Sequence, residues 1–181
     1  MPHHLQQTLA LLRRTPASLN ALLRDLPESW THHNEGEGTW TAYDVVGHLA
    51  YGETTDWPAR AKMILDHGES KTFTPFDRLG QTRSSQGKSL PQLLDEFAYL
   101  RAQNVVELES LNLTPEDLER RGRHPSFGSV TLSQLFAAWA VHDITHMHQL
   151  SRILAYQYRE TVGPWEKFLG VLHCDGHSSP A

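Results

Sequence analysis

The chain has 181 residues, 39% hydrophobic and 20% charged, with no apolar run near the roughly 18 residues that a membrane span requires. It is expected to be one soluble domain (residues 1–172), long enough to bury about 70% of its unfolded surface without disulfides or a structural metal. Sixteen Lys and Arg against 21 Asp and Glu give a net charge of −5 without a basic cluster, which argues against nucleic-acid and anionic-membrane partners. A single cysteine, Cys174, excludes an internal disulfide, and the Met1-Pro2-His3-His4 start lacks a signal-peptide layout, so the expected location is cytoplasmic.

Helical periodicity dominates. The first predicted helix spans about residues 3–26, with a break at Thr15-Pro16, where proline suits a helical first turn because its missing donor costs nothing there. Thr41 with Asp44 three residues on reads as a capping box opening a second helix over about 42–66. Ser89 with Gln92 opens a third over about 90–111, and Thr131 with Gln134 a fourth over about 132–158. Thr114-Pro115 starts a short helix over about 115–121. No segment carries a convincing strand signal. The links at about 27–40, 67–89 and 112–130 are long and rich in turn residues, so the expected fold is all-α, a four-helix bundle with long crossover connections. Residues 173–181 read as a disordered C-terminal tail.

Twelve histidines are scattered along the chain, and helical geometry sorts them. On the fourth helix, Leu132, Leu135, Trp139, Leu150 and Ile153 form an apolar stripe roughly 60° wide at 100° per residue. His146 falls inside that stripe and His142 about 20° beyond its edge, whereas His148 points away and is expected to be solvated. Two imidazoles at i and i+4 on a buried face can present two nitrogens to one metal ion. The alternative is a pair of core histidines with ordinary hydrogen-bond partners, but each would need its own partner and two positive rings would repel. A third ligand is available from His48, which flanks the stripe of Val45, Leu49, Gly52, Asp56, Ala59 and Met63. Gly52, one turn on, leaves room for a ligand or a neighbouring helix.

Other constellations are weaker. His142-Asp143-Ile144-Thr145-His146 departs from the zinc-protease H-E-x-x-H pattern, with Asp in place of the longer Glu. Gly36-Glu37-Gly38 lacks the lysine and the strand of a phosphate loop. Asn112-Leu113-Thr114 matches a glycosylation sequon, but its Thr suits a helix cap. Arg101 and Asn104 share a face with Phe97 and Leu108, so they either line a pocket or lie on a half-exposed face. Trp30, Trp40 and Trp139 read as core and pocket wall.

Trp40-Thr41 leading to Val46-Gly47-His48-Leu49, and the run His142-Asp143-Ile144-Thr145-His146-Met147-His148-Gln149-Leu150, resemble the DinB/YfiT-like superfamily of metal-binding four-helix bundles over about residues 5–172. The resemblance implies one divalent metal on a histidine of the second helix and an H-x-x-x-H pair of the fourth, which are His48, His142 and His146 here. It also implies homodimerisation and a small-molecule substrate. Its members include low-molecular-weight thiol transferases, thiol-dependent isomerases and metal-dependent hydrolases. This chain carries Met147-His148 where many relatives have an Arg-Gly or similar pair.

The expected function is therefore that of a metal-dependent enzyme, hydrolase or thiol S-transferase, with Zn²⁺ or Ni²⁺ on three imidazoles and open positions for water or a small thiol. Asp143 and Asp56 are the candidates for a general base or for orienting a ligand, whereas Glu53 should point about 140° from His48. The rival expectation is a non-catalytic, metal-binding or dimerising helical bundle.

Overall fold

The structure is a computed structural model and describes residues 5–174. Its elements are α1 (Leu5–Leu12), α2 (Thr15–Leu23), α3 (Glu28–Thr31), α4 (Ala42–Thr55), α5 (Trp57–His67), α6 (Gly80–Ser85), α7 (Leu90–Ser110), α8 (Pro115–Leu118), β1 (Arg121–His124), β2 (Gly128–Thr131) and α9 (Leu132–Tyr156), with short 3-10 turns after α5 and α9. The chain is an all-α four-helix bundle with one small hairpin. Its four rods are α1–α2, α4–α5, α7 and α9.

Side-chain caps start the long helices where the sequence places them. Thr41 with Asp44, Ser89 with Gln92 and Thr131 with Gln134 each form both bonds of a capping box, and Thr114 with Asp117 forms a fourth. The first rod breaks at the predicted place because Pro16 has no N–H to offer the carbonyl of Leu12, four residues back. Arg101 Nη1 donates to that carbonyl instead, at 2.8 Å from α7.

The predicted helix over 42–66 is in fact two, and Asp56, with φ −116° and ψ −84°, forms the joint. Pro58 is the physical reason: a continuous helix would need its N–H to bond the carbonyl of Thr54, and proline has none. The predicted short helix over 115–121 ends at Leu118, and Arg121 already belongs to a strand. The expectation of no sheet is corrected by an antiparallel hairpin pairing Arg121 with Thr131 and His124 with Gly128. Each strand has four residues, too short and too polar for a period-two pattern to register. Of the predicted disordered tail, His173 is tied through its backbone N–H to the carbonyl of Gly170, and Cys174 Sγ contacts the same carbonyl; residues 175–181 lie outside the described residues.

The first rod packs chiefly on α7 and α9, and the second rod packs on the same two helices. The first and second rods, and likewise the third and fourth, therefore occupy diagonal corners, and the long links between them make those crossings, whereas the second and third rods are neighbours. Two apolar clusters result. One joins Leu9, Trp57, Phe73, Leu132 and Trp139, and the other joins Leu19, Val45, Leu49, Phe97 and Leu150. A polar layer containing Glu53, Arg101, Asp143 and His146 is buried as well.

Candidate metal centre

α4 contributes His48, and α9 contributes His142 and His146 one turn apart. His48 Nε2 lies 3.0 Å from His142 Nε2, and His146 Nε2 lies 3.0 Å from the same atom. Donor atoms of all three residues fall within 4.8 Å of one another, and they form the metal-capable group found among the described residues.

The outward ring nitrogens explain why the Nε2 atoms can act as ligands. His48 Nδ1 is 2.8 Å from Gln81 Oε1, and His146 Nδ1 is 2.8 Å from Gln149 Oε1. An amide oxygen only accepts, so Nδ1 of each of these histidines carries the hydrogen and its neutral ring keeps a lone pair on Nε2. Both lone pairs face His142 Nε2. Lone pairs this close repel unless a proton or a cation lies among them. The donor set therefore fits a divalent cation, for which neutral imidazoles are customary ligands. His142 Nδ1 is buried without a hydrogen-bond partner among the described residues.

Burial keeps the rings neutral. Desolvation, followed by the nearby His146, pushes the His48 pKa down to about 4, although its bond to Gln81 pulls the other way. Desolvation also lowers His142, aided by His146, His48 and the Arg101 cation. His146 is lowered by desolvation against opposing contributions from Gln149 and Asp143. Neutral rings are what a metal requires.

Local sequence explains the placement of the glutamine partners. Gly47 lets α6 dock on α4, since a Cβ there would collide with Ser85 Oγ. Tyr43 Oη shares its single hydrogen between the carbonyls of Ser85, at 2.7 Å, and Lys88, at 2.9 Å, fixing the end of α6. Gln81 thus arrives at His48 from α6, which lies within the link predicted over about 67–89.

Aromatic rings wall the group. Trp40, the residue before the α4 cap, lies 4.9 Å from the His48 ring and 6.0 Å from the His146 ring, centroid to centroid. Phe76 stands edge-on to His48 at 5.3 Å, and Trp57 edge-on to His142 at 5.0 Å. The indole of Trp57 lies beside Gly52, 3.6 Å from where a Cβ would stand, an ordinary contact distance, so the expectation that this glycine makes room for a ligand or a neighbour finds no steric support. His146 is buried, and His48 and His142 are half-buried. His148 is half-buried rather than solvated.

The carboxylates named as candidate bases are engaged elsewhere. Arg101 binds Asp143 through both oxygens, Nη1 to Oδ2 at 2.6 Å and Nη2 to Oδ1 at 3.0 Å. Asp56 pairs with Arg60, Nε to Oδ1 at 2.5 Å, and burial raises its pKa against that arginine. Neither joins the histidine group. Glu53, expected to point away from His48, does not join the histidines, but its burial is not among the expectations from sequence: its carboxylate receives Arg101 Nη2 at 2.7 Å, Asn104 Nδ2 at 2.9 Å and Trp139 Nε1 at 3.2 Å. Its position in the i, i+3, i+4, i+7 series Val46, Leu49, Ala50, Glu53 was the available signal. Burial works against the Arg101 charge, but Glu53 and Asp143 outweigh it and raise the arginine's pKa.

The solved structure of YfiT from Bacillus subtilis, described as a probable metal-dependent hydrolase with an unusual four-helix bundle topology, superimposes with a TM-score of 0.70 at 21% identity, covering 87% of each chain. At that identity the likeness establishes the shared fold. A search of curated proteins found no match. A family model described as the DinB superfamily matches residues 11–150. With that match spanning most of its length, the chain belongs to the DinB superfamily.

Proposed function

We propose that His48, His142 and His146 hold one divalent metal ion, Zn²⁺ or Ni²⁺, and that the site acts on a small-molecule substrate as a hydrolase or a thiol S-transferase. The observation that carries this reading is the convergence of three Nε2 atoms, two of them fixed as lone pairs by Gln81 and Gln149. A bound divalent ion would lower the pKa of water to about 7 or hold a small thiol as thiolate.

The chain's own residues do the rest. Gln81 and Gln149 hold the tautomer and aim two imidazoles. Trp40, Trp57 and Phe76 limit water around the group. The three ligands bring no negative charge, so the ion would stay electrophilic towards an anionic donor. Arg101 holds both oxygens of Asp143, which supports a role in orientation rather than proton transfer, and Asp56 is ion-paired with Arg60 away from the histidines. Cys174 is exposed near the end of the described chain, so a thiol reaction would draw its nucleophile from a small cosubstrate. Among the described residues no helix is long and apolar enough to cross a membrane. A cytoplasmic site of action and a homodimer belong to the same proposal.

Elemental analysis of protein purified without added metal, in wild type and in His146→Ala, tests this reading. About one equivalent of Zn or Ni in the wild type, lost in the variant, is the expected result. No metal in the wild type and no uptake on adding Zn²⁺ or Ni²⁺ would refute it. An ion without exchangeable positions would instead indicate a structural, non-catalytic centre.

A further inference from the structure

Behind the histidines lies a buried ionic cluster that takes no part in ligation. Arg101, from the middle of α7, is 1% exposed. It reaches three other segments at once: Glu53 on α4, Asp143 on α9 and the carbonyl of Leu12 at the end of α1. Its guanidinium also lies over the rings of Phe97, at 4.8 Å, and Trp139, at 5.2 Å.

The two carboxylates sit beside the proposed ligands in sequence. Asp143 follows His142 directly, and Glu53 lies five residues beyond His48 on the same helix. A second path runs through aromatic packing. Trp139 Nε1 donates to Glu53, its ring stacks on Trp57 at 6.2 Å and 7° between planes, and Trp57 abuts His142. His142 is also the histidine whose Nδ1 has no hydrogen-bonding partner among the described residues, whereas its two neighbours are held by glutamines. The position of that ring therefore rests on its helix and on contacts with the rings of Trp57, His48 and His146 rather than on an Nδ1 hydrogen bond.

We propose that Glu53, Arg101 and Asp143 form a positioning clamp that sets the spacing and rotation of α4 against α9, and so the distance from His48 to His142 and His146. This inference rests on the metal-site reading above. The planar fork of arginine suits the task, because it holds two carboxylates from two helices in one fixed geometry, which an apolar contact does not specify. Ion pairs this deep add little net stability over well-packed apolar side chains, so geometric specification is the stronger reason to keep one.

The test compares the wild type with a charge-free triple variant, Glu53→Gln, Arg101→Met and Asp143→Leu, in which glutamine keeps an acceptor for Trp139. Ni²⁺ affinity is measured by calorimetry well below the melting temperature, and the Co²⁺ ligand-field spectrum reports the symmetry of the site. The clamp predicts unchanged far-ultraviolet circular dichroism, at least about tenfold weaker Ni²⁺ binding, as for other outer contacts of metal ligands, and an altered Co²⁺ spectrum. Wild-type affinity and spectrum in the folded triple variant would overturn it, since a purely structural cluster would change the melting temperature alone. Arg101→Lys, which keeps the charge but loses the fork, decides the matter if the triple variant does not fold: weakened binding with native dichroism supports the clamp, and wild-type binding refutes it. Failure of the wild type itself to bind Ni²⁺ or Co²⁺ would instead refute the metal site.

Discussion

Arg101→Met alone removes the centre of the buried ionic cluster. Methionine keeps much of the packing volume but removes the donors to Leu12 O, Asp143 Oδ1, Asp143 Oδ2 and Glu53 Oε1. Glu53 retains Asn104 and Trp139 as donors. Asp143 loses the arginine that binds both of its oxygens, in surroundings where its side chain is 2% exposed. Breaking a buried pair by removing one partner costs about 3–5 kcal/mol, because a charge is left uncompensated. For a chain of this size each kcal/mol moves the melting temperature by about 2–4 °C, so the expected fall is about 6–20 °C. Differential scanning calorimetry of the metal-free protein, supported by urea unfolding with an unchanged m-value, measures it. A fall of less than about 2 °C would refute the reasoning, because it would mean that Asp143 is solvated or neutral once the arginine is gone.

Gln149→Leu should leave the fold intact and weaken Ni²⁺ binding by about 10–100-fold, since the His146 Nδ1–H loses the acceptor that fixes its tautomer; equal affinity by calorimetry would count against that role. The metal-free protein should lose stability as pH falls from 6.5 towards 4. The folded His48 titrates at about 4 and His142 and His146 are also lowered, so the unfolded chain binds more protons throughout that window, at up to about 1.4 kcal/mol per pH unit for each histidine. Asp56, with its raised carboxyl, works in the opposite sense nearer the carboxylate range; urea midpoints that stay flat between pH 7 and pH 5 would contradict the histidine assignment. Gly122→Ala should destabilise by about 1–3 kcal/mol through overpacking, because the new Cβ would stand 2.6 Å from Ile64 Cγ1 and 2.8 Å from Phe73 Cε1; a variant as stable as wild type in urea would show that the hairpin is not pressed onto α5 as described.

Local chemistry alone determined much of the fold. Thr41, Ser89 and Thr131 mark three helix starts because a cap is a contact within four residues, and no distant partner is needed to see it. The placement of His142 and His146 on one buried face follows equally from helical periodicity, the stripe on the second helix offers His48 as the third ligand, and the motif resemblance names the same three residues. Tertiary structure decided the rest. The hairpin over 121–131 exists because its eight strand residues find a floor in Ile64 and Phe73, whereas the break at Asp56 is a local effect of Pro58 that the continuous apolar stripe masks in the sequence. The glutamines that hold the histidines differ in the same way: Gln149 lies three residues from His146, whereas Gln81 comes from a short helix 33 residues beyond His48. Glu53, Arg101 and Asp143 each stand at an apolar position of their own helix and look like isolated exceptions in sequence. Only the meeting of α4, α7 and α9 makes them one cluster, because a buried charge is explained by its partner, and these partners lie at least 42 residues apart along the chain.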